Sequence, residues 1–221
     1  MSDLWNFYTN PSNNFIHTSL AFCQICLVAI VAAVVIGIVL GFAVSRNGFL
    51  AFIAINISGL MRAIPVIAFL IAVLPYLGVG FTPAVTALIV LGIPPVLLNT
   101  YTGLRDIDNS IIDAARGMGM TGWQIIARVQ FPLVLPIIAA GVRTAAIQII
   151  ATAPLAAFIG AGGYGDYIVD GFYTLHVTEI LAGALPVSII ALLVEGAMSG
   201  LERLLTPAGL YKSRSLETAR V

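Results

Sequence analysis

DIDNSIIDAARGMGMTGWQIIARVQFPLVLP, residues 106–136, decides how the rest of this chain is read. It is polar where its surroundings are oily. The 221 residues are 60% hydrophobic and only 9% charged, against about 25% charged in a soluble domain, so the chain is an integral membrane protein. The quoted stretch is too polar to insert, yet it is patterned. Ile111, Ile112, Ala115, Met118 and Gly119 recur at helical spacing. Asp108 or Ser110 can cap the start of that helix, and Gly117, Gly119 and Gly122 mark a turn. Residues 124–129 continue as a second short helix. Pro132 and Pro136 then open the next apolar span, where proline is tolerated. The stretch therefore reads as a helix–turn–helix lying against the membrane, with small residues that permit close approach. Two uses remain open: a docking surface for another protein, or a helical loop packed on its own chain.

Outward from this stretch, segments of the roughly 20 apolar residues that cross a bilayer fall at residues 17–44, 49–77, 82–104, 133–159 and 180–205. The architecture expected is all-α and polytopic, with about five transmembrane helices. The domain organisation is an N-terminal flank (1–16), a membrane domain (17–205) carrying the loop 106–131, and a polar tail (206–221). The first span has no basic region before it and no small-residue cleavage site, so it reads as uncleaved. Pro65 bends the second span, and Pro94-Pro95 interrupts the third. Lys and Arg set the orientation. Arg46, Arg105, Arg116, Arg128, Arg203, Lys212, Arg214 and Arg220 all fall on one side, whereas the flank 1–16, the turn 75–81 and the loop 161–179 have none. The N-terminus is thus expected outside, with Trp5, Phe7 and Tyr8 at the outer interface, and the C-terminus in the cytoplasm.

The pattern Asp113-Ala114-Ala115, three residues, Gly119, nine residues, then Val129-Gln130-Phe131-Pro132 resembles the EAA loop of type I ABC importer permeases. Glu-Ala-Ala, Gly and Ile-x-Leu-Pro stand at the same spacing there. NTYTGLRDID, AARGMGMTGWQ, LPIIAAGVRTAA and LAAFIGAGGYGDYI make the chain most similar to the permeases for glycine betaine, carnitine and choline; methionine permeases are a more distant match. The resemblance implies a permease subunit in the bacterial inner membrane that is not itself an enzyme. Its partners would be a second permease chain (identical or a paralogue), an external substrate-binding protein and a separate ATPase that holds ATP and magnesium. It gives Asp113 a polar docking role, Ala114 and Ala115 the close contact, and Gly117, Gly119 and Pro132 the turn and the entry to the next span. The competing readings are a permease for methionine or another amino-acid-like solute and, in another class, an ion-driven secondary transporter. Secondary transporters usually carry inverted repeats, and no repeat is evident in this sequence.

Other residues narrow the chemistry. The one lysine, Lys212, follows Tyr211, so no nucleotide-binding Gly-Lys pair exists. Cys23 and Cys26 lie in an apolar segment without further ligand types, and two thiolates alone do not make a zinc site. His17 and His176 are isolated, and no catalytic or metal-binding constellation is expected. Residues 160–165 spell GAGGYG, but an apolar span precedes them where a dinucleotide site needs a strand, so they read as a tight turn. Arg62, Arg143 and Glu195 are charges within spans, which are costly and need partners. An Arg143–Glu195 pair that fixes packing is the first reading and gating the second. Gly37/Gly41 and Gly196/Gly200 are both spaced for close helix approach, first within the chain and second between copies. Tyr76, Phe81, Tyr164, Tyr167, Phe172 and Tyr173 serve as interfacial anchors or as a cage for quaternary ammonium groups. No nucleic-acid partner is expected.

Overall fold

In hydrocarbon every backbone N–H and C=O must be paired within the chain, so an apolar sequence of this kind folds as helices. The computed structural model describes residues 2–205 and has no strand among them. In chain order its helices are α1 (Ser2–Thr9), α2 (Phe15–Ser45), α3 (Gly48–Ala63), α4 (Val66–Leu77), α5 (Phe81–Arg105), α6 (Asn109–Gly117), α7 (Gly122–Ile125), α8 (Phe131–Thr152), α9 (Tyr164–Thr174) and α10 (Val177–Leu205). Four helical segments, Pro11–Ser45, Phe81–Arg105, Gly122–Ile159 and Val177–Glu202, are long and apolar enough to cross a membrane. The pair α3 and α4 makes a fifth if counted as one span.

α5 sits at the centre. It packs against α2 on one side and α8 on another. Lipid is as apolar as the side chains, so packing rather than water exclusion holds these helices together, and small residues let the backbones approach. A Cβ at Gly37 would lie 2.7 Å from Val96, and one at Gly41 would lie 2.5 Å from Thr100. Only glycine fits that seam between α2 and α5. Phe22, Ile25, Ala29, Ala33, Leu88, Ile149 and Ile150 form the main core where α2, α5 and α8 meet.

Several expectations change here. Pro94 and Pro95 do not interrupt α5, which runs unbroken from Phe81 to Arg105 with both prolines buried. The tight packing of α2 and α8 holds the helix through them. The Pro65 bend is severe: α3 and α4 meet at 99°. Gly196 and Gly200 meet no neighbour among the described residues, unlike Gly37 and Gly41. The second short helix at 124–129 is not separate from the following span. α7 passes through one wide π-helical stretch (Ile126–Gln130) directly into α8. Pro132 follows that stretch; its ring would crowd the carbonyl four residues back in a regular α-turn, and a widened turn relieves such crowding. At the other end Pro154 coincides with a change from α-helix to 3-10 helix over Ala153–Ile159. The loop 161–179 contains α9, which packs on α10. The tail 206–221, with its expected cytoplasmic location, lies outside the described residues.

Candidate docking loop and intramembrane charge cluster

The loop between α5 and α8 is built from local hydrogen bonds. Asp108 caps α6, its carboxylate accepting the Ser110 N–H at 2.8 Å. The Ser110 backbone and hydroxyl together hold that carboxyl below its ordinary range. α6 ends in a Schellman cap. The Met120 N–H donates to the Ala115 carbonyl at 3.2 Å and the Gly119 N–H to the Arg116 carbonyl at 2.9 Å. Gly119 has φ +78°, the left-handed conformation this cap needs. α7 then starts on a reciprocal cap. The Thr121 N–H donates to the Gln124 side-chain oxygen at 2.8 Å, and the Gln124 N–H to the Thr121 hydroxyl at 3.4 Å.

The surface of this loop mixes small residues with two large apolar side chains and one ion pair. Ala115 is buried against its own chain, while Asp113, Ala114, Gly117 and Gly119 are exposed. Met118 and Trp123 are each 75% exposed. Asp113 pairs with Arg116 one turn on at 3.4 Å, both side chains exposed, a pair that contributes little to stability. Of the two alanines singled out in the sequence, Ala114 is therefore the one free to touch another protein. Pro132 stands in the first turn of α8.

The second constellation lies between α8 and α10. The Arg143 guanidinium forks onto two carboxylates: one nitrogen bonds Glu195, and the other bonds Glu202 at 3.2 Å. The Arg143–Glu195 contact is the pairing expected of two costly charges within spans. Glu202 was missed, although it stands seven residues after Glu195 and so on the same face of α10. Arg62 does not join the cluster. It is exposed in the last turn of α3, beside the Pro65 bend, and makes no ion pair among the described residues.

The far end is closed rather than reactive. Gly160, Gly162 and Gly163 all have positive φ and reverse the chain after the 3-10 helix. The Tyr164 hydroxyl contacts the Ser19 hydroxyl at 2.7 Å. The Tyr167 hydroxyl donates to the Asn13 carbonyl at 2.5 Å. These two aromatics lock α9 to the start of α2 and are not free to form a cage. Tyr76, Phe172 and Tyr173 are highly exposed.

Residues 33–208 match the family model described as binding-protein-dependent transport system inner membrane component. The chain is 36% identical to the carnitine transport permease protein OpuCB of Listeria monocytogenes, over 97% of this chain and 98% of that one. It is 36% identical to the glycine betaine/carnitine/choline transport system permease protein OpuCB of Bacillus subtilis, covering 95% and 97%. It is 35% identical to the choline transport system permease protein OpuBB of the same organism, covering 98% and 100%. Among solved structures, an inward-facing MetNI methionine ABC transporter shares the fold at TM-score 0.79 and 22% identity, over 90% of this chain and all of that one.

Proposed function

The chain belongs to the family of binding-protein-dependent transport system inner membrane components, and from that membership we infer that it is the membrane-spanning permease subunit of an ATP-driven importer. Two permease chains form the pathway, an external binding protein delivers the solute, and a separate ATPase binds ATP and magnesium. The chain itself catalyses nothing. The cargo is an osmoprotectant carrying a quaternary ammonium group. The relatives spanning nearly the whole chain are named for carnitine, glycine betaine and choline, whereas the methionine transporter offers only a shared fold at lower identity. The concentration of Lys and Arg on the α6 side supports a cytoplasmic location for that loop and an external N-terminus.

The observation that carries the coupling role is the loop itself. α6 is capped at both ends by its own residues. It presents Ala114, Gly117, Met118 and, across the turn, Trp123 to solvent. A short rigid helix with small side chains can seat in a groove of the ATPase and pass its motion to the spans as a rigid-body displacement. Asp113 supplies the polar contact, and Gly119 fixes the angle at which α7 leaves.

The test is co-purification of the tagged chain from native membranes. An ATPase subunit is expected with the unmodified chain and with Gly119→Asn, because asparagine tolerates the left-handed conformation. It is expected to be lost with Gly119→Arg. If no ATPase accompanies the unmodified chain, the coupling role is wrong. Uptake of labelled choline, carnitine, glycine betaine and methionine into vesicles then assigns the cargo; uptake of methionine alone would replace the osmoprotectant reading.

A further inference from the structure

The outward surfaces of α8 and α10 differ chemically. Ile189, Leu192 and Leu193 on α10 are more than half exposed and wholly apolar, which suits lipid. α8 presents Arg143, Thr144, Gln148 and Ala151 at helical spacing on one face, its opposite face being buried through Ala145, Ala146, Ile149 and Ile150. Those four residues, with Ala140, Ile147 and Glu202, line an open cavity of about 490 Å³.

This wall cannot face hydrocarbon. The Arg143 side chain is 34% exposed, as Glu195 is 35% and Glu202 31%. The Thr144 hydroxyl is exposed and, among the described residues, bonds only the Ala140 carbonyl of its own helix, at 3.0 Å. The half-buried Gln148 amide has no hydrogen-bond partner among the described residues. An unpaired amide facing lipid costs several kcal/mol, and charges within a bilayer almost always face a water-filled cavity or the bundle interior. Arg143 stands about 18 Å along the axis from Phe131 at 1.5 Å per residue, well inside the span.

We propose that the face of α8 carrying Arg143, Thr144 and Gln148, together with Glu195 and Glu202, is a wet wall of the translocation pathway. The solute touches it in transit: a cationic group meets the two carboxylates, and hydrogen-bonding groups meet Thr144 and Gln148. This rests on the permease reading above. Arg143 keeps the carboxylates from repelling each other and holds Glu202 at the edge of the cavity, with Glu195 beside it. Leu192, by contrast, faces lipid.

Thiol accessibility tests this in the full transporter, in lipid nanodiscs, with its ATPase bound. Cys23, which is exposed, is replaced by alanine; Cys26 is buried and stays. Thr144→Cys, Gln148→Cys and Leu192→Cys are each treated with the charged reagent 2-sulfonatoethyl methanethiosulfonate, which reaches only wet thiols. Labelling at residues 144 and 148 is expected at least ten-fold faster than at residue 192, and slowed by saturating choline, carnitine or glycine betaine. Disulfide cross-linking between two copies through residue 148, without labelling, would place the face in a dry dimer contact and overturn the proposal. So would labelling no faster than at Leu192→Cys. Fast labelling unaffected by any of the three solutes overturns the solute contact. Loss of the ATPase from the preparation counts against the permease reading, whereas slow labelling with the ATPase present counts against this one.

Discussion

Two glycine-rich segments close opposite ends of the same bundle, and they use glycine for opposite purposes. In residues 117–122 a Cβ on Gly117, Gly119 or Gly122 would meet nothing within 4 Å. The glycines there shape backbone and keep a surface low. In residues 163–183 the space is full: a Cβ at Gly171 would lie 2.7 Å from the Ile180 nitrogen, and one at Gly183 2.5 Å from the Tyr164 carbonyl oxygen. The first segment is held by hydrogen bonds between near neighbours. The second is held by Tyr164 and Tyr167 reaching more than 140 residues back. The α6 end is an open surface shaped by its own backbone, and the α9 end is fastened to the start of α2.

The comparison breaks most readily at Gly183. Gly183→Val forces a branched side chain against the Tyr164 backbone and is expected to cost about 3 kcal/mol or more, seen as loss of monodisperse protein on detergent gel filtration. Gly117→Val at the other end should leave that elution profile unchanged; if both variants behave alike, the two segments are not different in kind. Next comes Tyr167→Phe, which strands the Asn13 carbonyl and removes the contact with Thr18. About 2 kcal/mol is expected, measured as a lowered Tm in detergent, with ATPase association intact. Gly119→Ala is smaller. A left-handed alanine costs about 1 kcal/mol, expected as weakened ATPase binding with little change in Tm, because the strain is local to the cap. Gly119→Asn should bind better than Gly119→Ala.

The smallest effect concerns pH. Asp166, in α9 outside the spans, has its carboxyl raised above the ordinary value, first by burial and then by the charge of Asp170. A carboxyl raised by folding favours the folded state while protonated, and that contribution is lost as pH rises through its folded value. Asp166→Asn should therefore raise Tm slightly at pH 7. The gain should vanish below about pH 3.8, the unshifted value. A gain that persists in acid would mean that the asparagine acts through packing instead.

The sequence made the α6 end readable because its rules are local. Asp108 before a periodic run signals a cap, and Gly119 after it signals a left-handed stop; both can be seen without knowing what lies nearby. The Arg143–Glu195 pair was readable because two costly charges must find each other. The unreadable parts depended on neighbours. Pro94 and Pro95 spell a break, but they sit in the most enclosed helix, where Gly141 lets α8 press against the Pro95 carbonyl. Gly37/Gly41 and Gly196/Gly200 are identical in spacing, yet among the described residues only the first pair meets a partner helix. Nothing in residues 161–179 taken alone announces that α9 would be fastened to residues 13–19.

The unbroken passage from α7 through the π-helical stretch into α8 has a mechanical meaning. The chain there is a crank with unequal arms: four residues before the wide turn and 22 after it. At 1.5 Å per residue those arms are about 6 Å and 33 Å. Turned as one rigid unit about the wide turn, a displacement of about 1 Å at Gly122 would become about 5 Å at Thr152, across the wall that carries Arg143 and Gln148. A partner bound beside the short arm would act on the far side of the bundle with that ratio.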